Sequence, residues 1–181
     1  ANGSSPIFLA ADKKCWPDPE FCTDLPESPL RKDIYGDATD QDPEHFKNRA
    51  RCVNSGTIIG PAGPMMELYS EMILWLHDDP YGDQVVFSEF YQSQTHDMRL
   101  DFYADLFLNV AYGQDDVVRM PDAYISSAQL APSRGFPIFW SRLTGKIPIA
   151  IHFPGKTKPL ALSWWPEMWF GKMTAEEHVL Q

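Results

Sequence analysis

One short run of the chain places a metal ligand, a glycine and two cations close together: His152-Phe153-Pro154-Gly155-Lys156-Thr157-Lys158. A neutral imidazole such as that of His152 is a common ligand of divalent metals. Gly155 lets backbone N–H groups approach an anion closely, and Lys158 supplies a point charge for a phosphate. The run follows a predicted buried strand at 147–151, and ligands collect at the carboxyl ends of strands in open α/β sheets. The run therefore predicts a metal–diphosphate site, with a hydrogen-bonded histidine and a solvated lysine pair as the alternative.

Two further polar groups lie at the ends of predicted elements. Asn54-Ser55-Gly56 interrupts an otherwise apolar strand at 52–60, which indicates a bulge or a turn. Gly56 would allow close approach of a ligand, and the Asn54 amide offers a donor and an acceptor to sugar hydroxyls. Asp83-Gln84 begins a predicted helix, either as an acid stabilised by the helix dipole or as a carboxylate and an amide directed into a cleft.

The elements that must position these groups alternate between strands and helices, which predicts an α/β protein with a mixed sheet flanked by helices. We expect a single domain over 1–181 with an aromatic tail at 159–181, whose indoles face a sugar or anchor the tail. The expected elements are strands at 7–11 and 98–102, helices at 61–77 and from 83, a helical turn at 103–109, and a strand near 123–127.

Composition excludes several classes of partner. The net charge of −10 argues against nucleic acid and against anionic membranes, since both bind basic surfaces. No apolar run is long enough to span a bilayer, so we expect no membrane segment in this chain. Cys15 and Cys22 are close enough in sequence to close a small disulfide loop, which leaves Cys52 over. A structural zinc site is not expected, because no Cys-x-x-Cys pair is present.

Three motifs in this order resemble the second half of a GT-A-fold glycosyltransferase: Asn54-Ser55-Gly56, Gly82-Asp83-Gln84, and the run from His152 to Pro159. The last motif is similar to that of the glycogenin-type family. The stretch Ala10-Ala11-Asp12-Lys13-Lys14-Cys15-Trp16-Pro17, and Leu100-Asp101 with Phe107, resemble the glycosyltransferase domain of procollagen lysyl hydroxylases and related collagen glycosyltransferases. The resemblance covers about 7–158.

The resemblance implies a partial GT-A-like (Rossmann-like) fold, a UDP-sugar donor, a Mn²⁺ ion, and a hydroxyl acceptor on a protein or glycan. It also favours the secretory pathway (ER or Golgi) or secretion over the cytoplasm. His152 matches the metal ligand, and Asp83 and Gln84 match the catalytic pair beside the donor sugar. The remaining matches are donor contacts: Gly155 and Lys158 at the diphosphate, Asn54, Ser55 and Gly56 under the sugar, and Trp16 near the cleft.

The acidic metal motif of the family, Asp-x-Asp or Asp-x-x-Asp on an earlier strand, has no counterpart in this sequence. Asp40-Gln41-Asp42 has the letters but lies in a polar loop after Trp16. We therefore expect either a fragment of a longer enzyme or a truncated relative. Two other functions stay open: a non-catalytic sugar- or protein-binding remnant, and a hydrolase with paired carboxylates such as Asp79 and Asp83.

Overall fold

The central strand of the main sheet is β1 (Ile7–Asp12), whose sequence is apolar up to its last residue. On one side it pairs antiparallel with β2 (Cys52–Ile59), and on the other it pairs parallel with β3 (Met98–Asp101). A strand with neighbours on both edges and cover on its faces is expected to read as such a continuous apolar run. The computed structural model describes residues 5–76, 82–120 and 138–164.

The pairing of β1 with β2 contains a wide bulge on β2. Leu9 pairs with Ile58 and the next residue, Ala10, pairs with Asn54, so that 55–57 have no partner on β1. A bulge bends the strand that carries the extra residues and redirects their backbone. This confirms the interruption that Asn54-Ser55-Gly56 predicts.

Two helices cover the main sheet. The predicted helices are confirmed as α1 (Ala62–Leu76) and α2 (Asp83–Ser93). Leu68 and Met72, four residues apart on α1, are buried and form an apolar stripe on the side of this helix that faces the sheet. The core between the helices and the sheet consists of Ile7, Leu9, Ala11, Val53, Leu68, Met72, Val86, Phe87, Phe90, Met98 and Leu100. Each large side chain in this set stabilises the fold by about 1.5–3 kcal/mol through its burial.

Two short strand pairs and a third helix complete the described chain. β4 (Phe107–Asn109) pairs parallel with β7 (Ala150–His152), and β5 (Val117–Met120) pairs antiparallel with β6 (Ile138–Ser141). Helix α3 (Lys158–Trp164) follows β7, and the Trp164 ring stacks on Phe139 with a centroid distance of 5.4 Å. The strand expected at 147–151 is shorter in the structure, where β7 begins at Ala150.

The helical turn expected at 103–109 is wrong, because 107–109 form β4. The Asp101 carboxylate accepts hydrogen bonds from the backbone N–H groups of Asp105 (3.0 Å), Leu106 (2.7 Å) and Phe107 (2.8 Å). These bonds turn the chain sharply, and β4 then completes its hydrogen bonding with β7. A side chain that satisfies successive N–H groups replaces a helical turn.

The described residues confirm the α/β class, with helices and small mixed sheets. No described helix is long and apolar enough to cross a membrane. Three predictions lie outside the described residues: the strand near 123–127, the role of Asp79, and the aromatic tail beyond Trp164.

Candidate functional site

Five described strands end in a polar residue, and three of these ends lie close together. Asp12 ends β1, Asn109 ends β4 and His152 ends β7. Asn109 and His152 are register partners, and the Val110 N–H donates to the His152 carbonyl oxygen at 3.0 Å. β4 also packs against β1, which brings the carboxyl end of β4 to the same region as Asp12. We call Asp12, Asn54, Gly56, Asn109 and His152 the strand-end group.

Asn54 connects the buried carboxyl group of this set to the bulge on β2. Its Nδ2 donates to Asp12 Oδ2 at 3.2 Å, and its Oδ1 accepts from the Gly56 N–H at 3.0 Å. Burial raises the pKa of Asp12, although hydrogen bonds from Lys14, Asn54 and others lower it in part. Asn54 is itself buried, so its amide is fixed in orientation by bonds at both ends.

The bulge places the backbone of Gly56 directly against the ring of His152. A Cβ added at Gly56 would lie 2.5 Å from His152 Nε2 and closer still to Cε1. His152 Nδ1 is buried and has no hydrogen-bond partner among the described residues. Burial lowers the pKa of His152, and the positive charge of Lys158 lowers it further. The imidazole therefore stays neutral at neutral pH and keeps a free lone pair for a ligand.

The segment after β7 places Lys158 near this histidine. Gly155 has φ +52°, a left-handed conformation that glycine adopts without strain, and it begins a short 3₁₀ turn (Gly155–Thr157). Lys158 begins α3 with an exposed side chain, close enough for its charge to act on His152. The charge of Lys158 thus acts on His152 in the structure, and the role of this pair in holding a diphosphate stays a prediction.

Trp16 and Gln84 form a second contact. Gln84 Nε2 donates to the Trp16 carbonyl oxygen at 3.5 Å, and the Trp16 side chain is 60% exposed. Asp83 lies beside Gln84 in the first turn of α2 with an exposed side chain, after Gly82 at φ +89°. The exposed Trp16 indole offers a sugar a stacking face, and the Gln84 amide, which contacts the Trp16 backbone, offers a hydrogen-bond partner.

The described residues do not by themselves form a manganese site. His152 offers one ligand atom. Among the described residues, one group of three His, Cys, Asp or Glu side chains lies close enough to share an ion, and it consists of Cys15, Cys22 and Cys52. Sulfur ligands suit soft cations, whereas Mn²⁺ prefers oxygen and imidazole ligands. The unpartnered Nδ1 of His152 fits one coordination position, and the remaining ligands of a hard cation would have to come from elsewhere.

The two acids of Asp40-Gln41-Asp42 have structural roles. Asp40 forms an ion pair with the buried guanidinium of Arg49. Asp42 accepts hydrogen bonds from the N–H groups of Glu44 (3.2 Å) and Lys47 (2.8 Å). These contacts hold the loop together, which agrees with its interpretation as a polar loop rather than as the acidic metal motif.

Asp12 and Asn109 were missed as site residues from the sequence. Each ends a strand whose other residues are mostly apolar, the same signal that identified His152. Asp12 stands directly before two lysines, a pattern that is typical of a solvated turn. Asn109 lies at the end of the segment for which the sequence predicts a helical turn.

No protein-family model and no curated protein matches the chain. The family is therefore not shown, and the glycosyltransferase resemblance stays a prediction from the motifs and their order.

Proposed function

We propose that this chain is the acceptor-side part of a GT-A-like glycosyltransferase that transfers a sugar from a UDP-sugar to a hydroxyl on a protein or glycan, with Mn²⁺ as cofactor. The observation that supports this most directly is the strand-end group, in which Asp12, Asn54 and Asn109 surround Gly56 and His152. Ligands of α/β proteins bind at such carboxyl ends of strands. On the same proposal, we expect the protein to lie in the secretory pathway.

The proposed roles follow from the chemistry of each group. Lys158 would bring positive charge to the diphosphate, and Mn²⁺, when bound, would offset the charge that develops on UDP as it leaves. His152 would supply one ligand atom through its unpartnered nitrogen. Asn54 would contact donor-sugar hydroxyls, beside Ser55 and Gly56, while Asp83 and Gln84 would act next to the reacting carbon.

Calorimetric titration of the chain with UDP, in the presence and absence of Mn²⁺, tests the proposal. We expect Mn²⁺-dependent binding, and we expect His152→Ala to weaken it by about tenfold or more while the fold stays near wild type, since removal of supporting groups around a metal already costs 10–100-fold. His96→Ala is the matched control, because His96 bonds to Glu71 at 2.9 Å and lies before β3. Unchanged Mn²⁺-dependent affinity in His152→Ala would reject the assignment.

The alternative is a binding module that retains the fold without transfer activity. The observation that favours it is that the set of ligands for Mn²⁺ is incomplete. His152 supplies the imidazole of the strand-end group, but the described residues contain no group of three ligands for a hard cation. Release of UDP from a UDP-sugar separates the two functions. Binding of UDP without release in the presence of acceptor hydroxyls would favour the binding module.

A further inference from the structure

The three cysteines of the chain meet in one place, apart from the strand-end group. The sulfur atoms of Cys15, Cys22 and Cys52 all lie within 4.8 Å of one another, and all three residues are buried. Cys15 and Cys22 form a disulfide, as their spacing suggested, and Cys52 is a free thiol. A third thiol packed against a disulfide provides three sulfur ligands once the disulfide is reduced. We call this set the cysteine cluster.

The surroundings of the cysteine cluster are mostly apolar but include one cation. Leu25 is buried with the three cysteines, and Phe21 and Tyr91 pack against them. The guanidinium of Arg51 binds the carbonyl oxygens of Cys22 (3.0 Å) and Leu25 (2.8 Å) through Nη2. Its Nε is buried and has no hydrogen-bond partner among the described residues, so an N–H donor remains for an anionic ligand.

We propose that reduction of the Cys15–Cys22 disulfide converts the cysteine cluster into a three-coordinate site for a soft cation, namely Cu(I). A dithiol supplies two electrons and two protons, which turn the disulfide into two thiols while the dithiol becomes a disulfide. Cu(I) then displaces one proton from each of the three thiols. This site is independent of the proposed glycosyltransferase function.

The number and type of ligands decide which cation fits. Thiolates select Cu(I) and zinc among the common metals, but structural zinc takes four ligands. No fourth His, Asp or Glu of the described chain belongs to the cluster. Three sulfurs around a metal at about 2.3 Å lie roughly 4 Å apart in a plane. All three sulfurs lie within 4.8 Å of one another here, and those of Cys15 and Cys22 separate from their bonded distance on reduction.

Burial of the thiols opposes metal binding at the cysteine cluster, whereas the positive charge of Arg51 favours it. Burial raises the pKa of Cys52 to about 12, with a further rise from Asp12, so the free thiol stays protonated and unreactive until a soft cation displaces its proton. Arg51 lowers this pKa and would offset part of the negative charge of a thiolate complex. A coordinating metal deprotonates a thiol outright.

The test uses the full chain, reduced with a phosphine under anaerobic conditions and desalted. Cu(I) is supplied as its complex with a chromophoric chelator, and withdrawal of the metal is followed by absorbance. We expect the reduced wild-type chain to bind one Cu(I), and Cys52→Ser to bind it more than about 100-fold more weakly, because even partners outside a ligand set cost 10–100-fold. The oxidised wild-type chain should not compete for the metal, and X-ray absorption should show three sulfur neighbours.

Two controls keep each outcome decisive. Far-UV circular dichroism of the reduced chain, with and without Cu(I), shows whether the cluster remains assembled. A reduced chain that folds only with Cu(I) supports the site, since metal binding then drives folding. The Cys15→Ser/Cys22→Ser double variant, which keeps only Cys52, should not bind. Equal affinity in Cys52→Ser or in the double variant, or a chain that stays unfolded with Cu(I), would overturn the proposal.

Discussion

Replacing Gly56 by Ala tests whether the bulge on β2 holds His152 in place. The added Cβ would lie 2.5 Å from His152 Nε2 and closer still to Cε1, so the ring must move by more than about 1 Å to restore an ordinary contact of roughly 3.4 Å. An imidazole is the end of a side chain and can rotate away, at a cost of about 0.5–1.5 kcal/mol for an unfavourable rotamer. We therefore expect a small loss of stability but a large effect on any ligand of His152.

The magnitude of that effect follows from geometry. A misplacement of about 1 Å in a functional group costs up to about 100-fold in the process it supports. We expect Gly56→Ala to weaken Mn²⁺-dependent UDP binding by 10- to 100-fold in calorimetry, as order-of-magnitude bounds. Carbon-13 NMR of the histidine side chains reports the movement directly, whatever the function is, because the His152 signals should shift while those of His96 stay.

Gly63→Ala is the matched control, because a Cβ at Gly63 meets nothing within 4 Å. It makes the same chemical change at the start of α1, away from the strand-end group, and should alter the free energy of unfolding by no more than about 1 kcal/mol. Unchanged His152 signals and unchanged UDP affinity in Gly56→Ala would refute the argument that the bulge positions the imidazole.

Two further predictions concern buried charges. Asp116→Ala should lower the free energy of unfolding in urea by about 3–5 kcal/mol, because it leaves the buried Lys13 ammonium without its only carboxylate partner among the described residues, with the neutral Tyr35 hydroxyl and Phe46 carbonyl as its remaining acceptors. The Lys13→Met/Asp116→Leu double variant should recover most of this, and a simple sum of two losses would contradict the reasoning. Because burial raises the pKa of Asp12 above 3.8, its stabilising contribution is lost as pH rises through the folded pKa. Asp12→Asn should therefore gain stability relative to wild type as the pH rises above 3.8, and a pH-independent difference would exclude this titration.

Local patterns predicted the elements whose hydrogen bonds and burial are local or strongly periodic. The stripe on α1 and the interruption of β2 by Asn54-Ser55-Gly56 are of this kind. The turn before β4 is different, because its N–H groups bond to the side chain of Asp101, and β4 then pairs with a strand far along the chain. The sequence of 103–109 reveals neither the distant partner strand nor the carboxylate that accepts the N–H groups, so it predicts a helical turn there.

The candidate site shows the same division. His152 and Lys158 are joined by the short segment 153–157, so their closeness in sequence alone predicts that the charge of Lys158 acts on His152. Asp12 owes its burial, which raises its pKa, to packing by segments far along the chain; β2 pairs beside β1 and places Asn54 against the carboxyl group, where its hydrogen bond lowers the pKa in part. The sequence beside Asp12 contains two lysines and gives no sign of that burial. Polar residues that are brought to the site by pairing between distant segments could therefore not be recognised as site residues from the sequence.

The position of β1 in the centre of its sheet has a consequence for folding kinetics. Its two neighbours are separated from it by long intervening segments, 13–51 before β2 and 13–97 before β3. A closed loop of twice the length costs only about 0.6 kcal/mol more in entropy, so the longer connection is thermodynamically tolerable. Non-local pairings nevertheless slow folding, because the loop must close before its contacts form. During synthesis β1 therefore waits for both partners, and the carboxyl ends of β1, β4 and β7 can meet only after residue 152 has emerged.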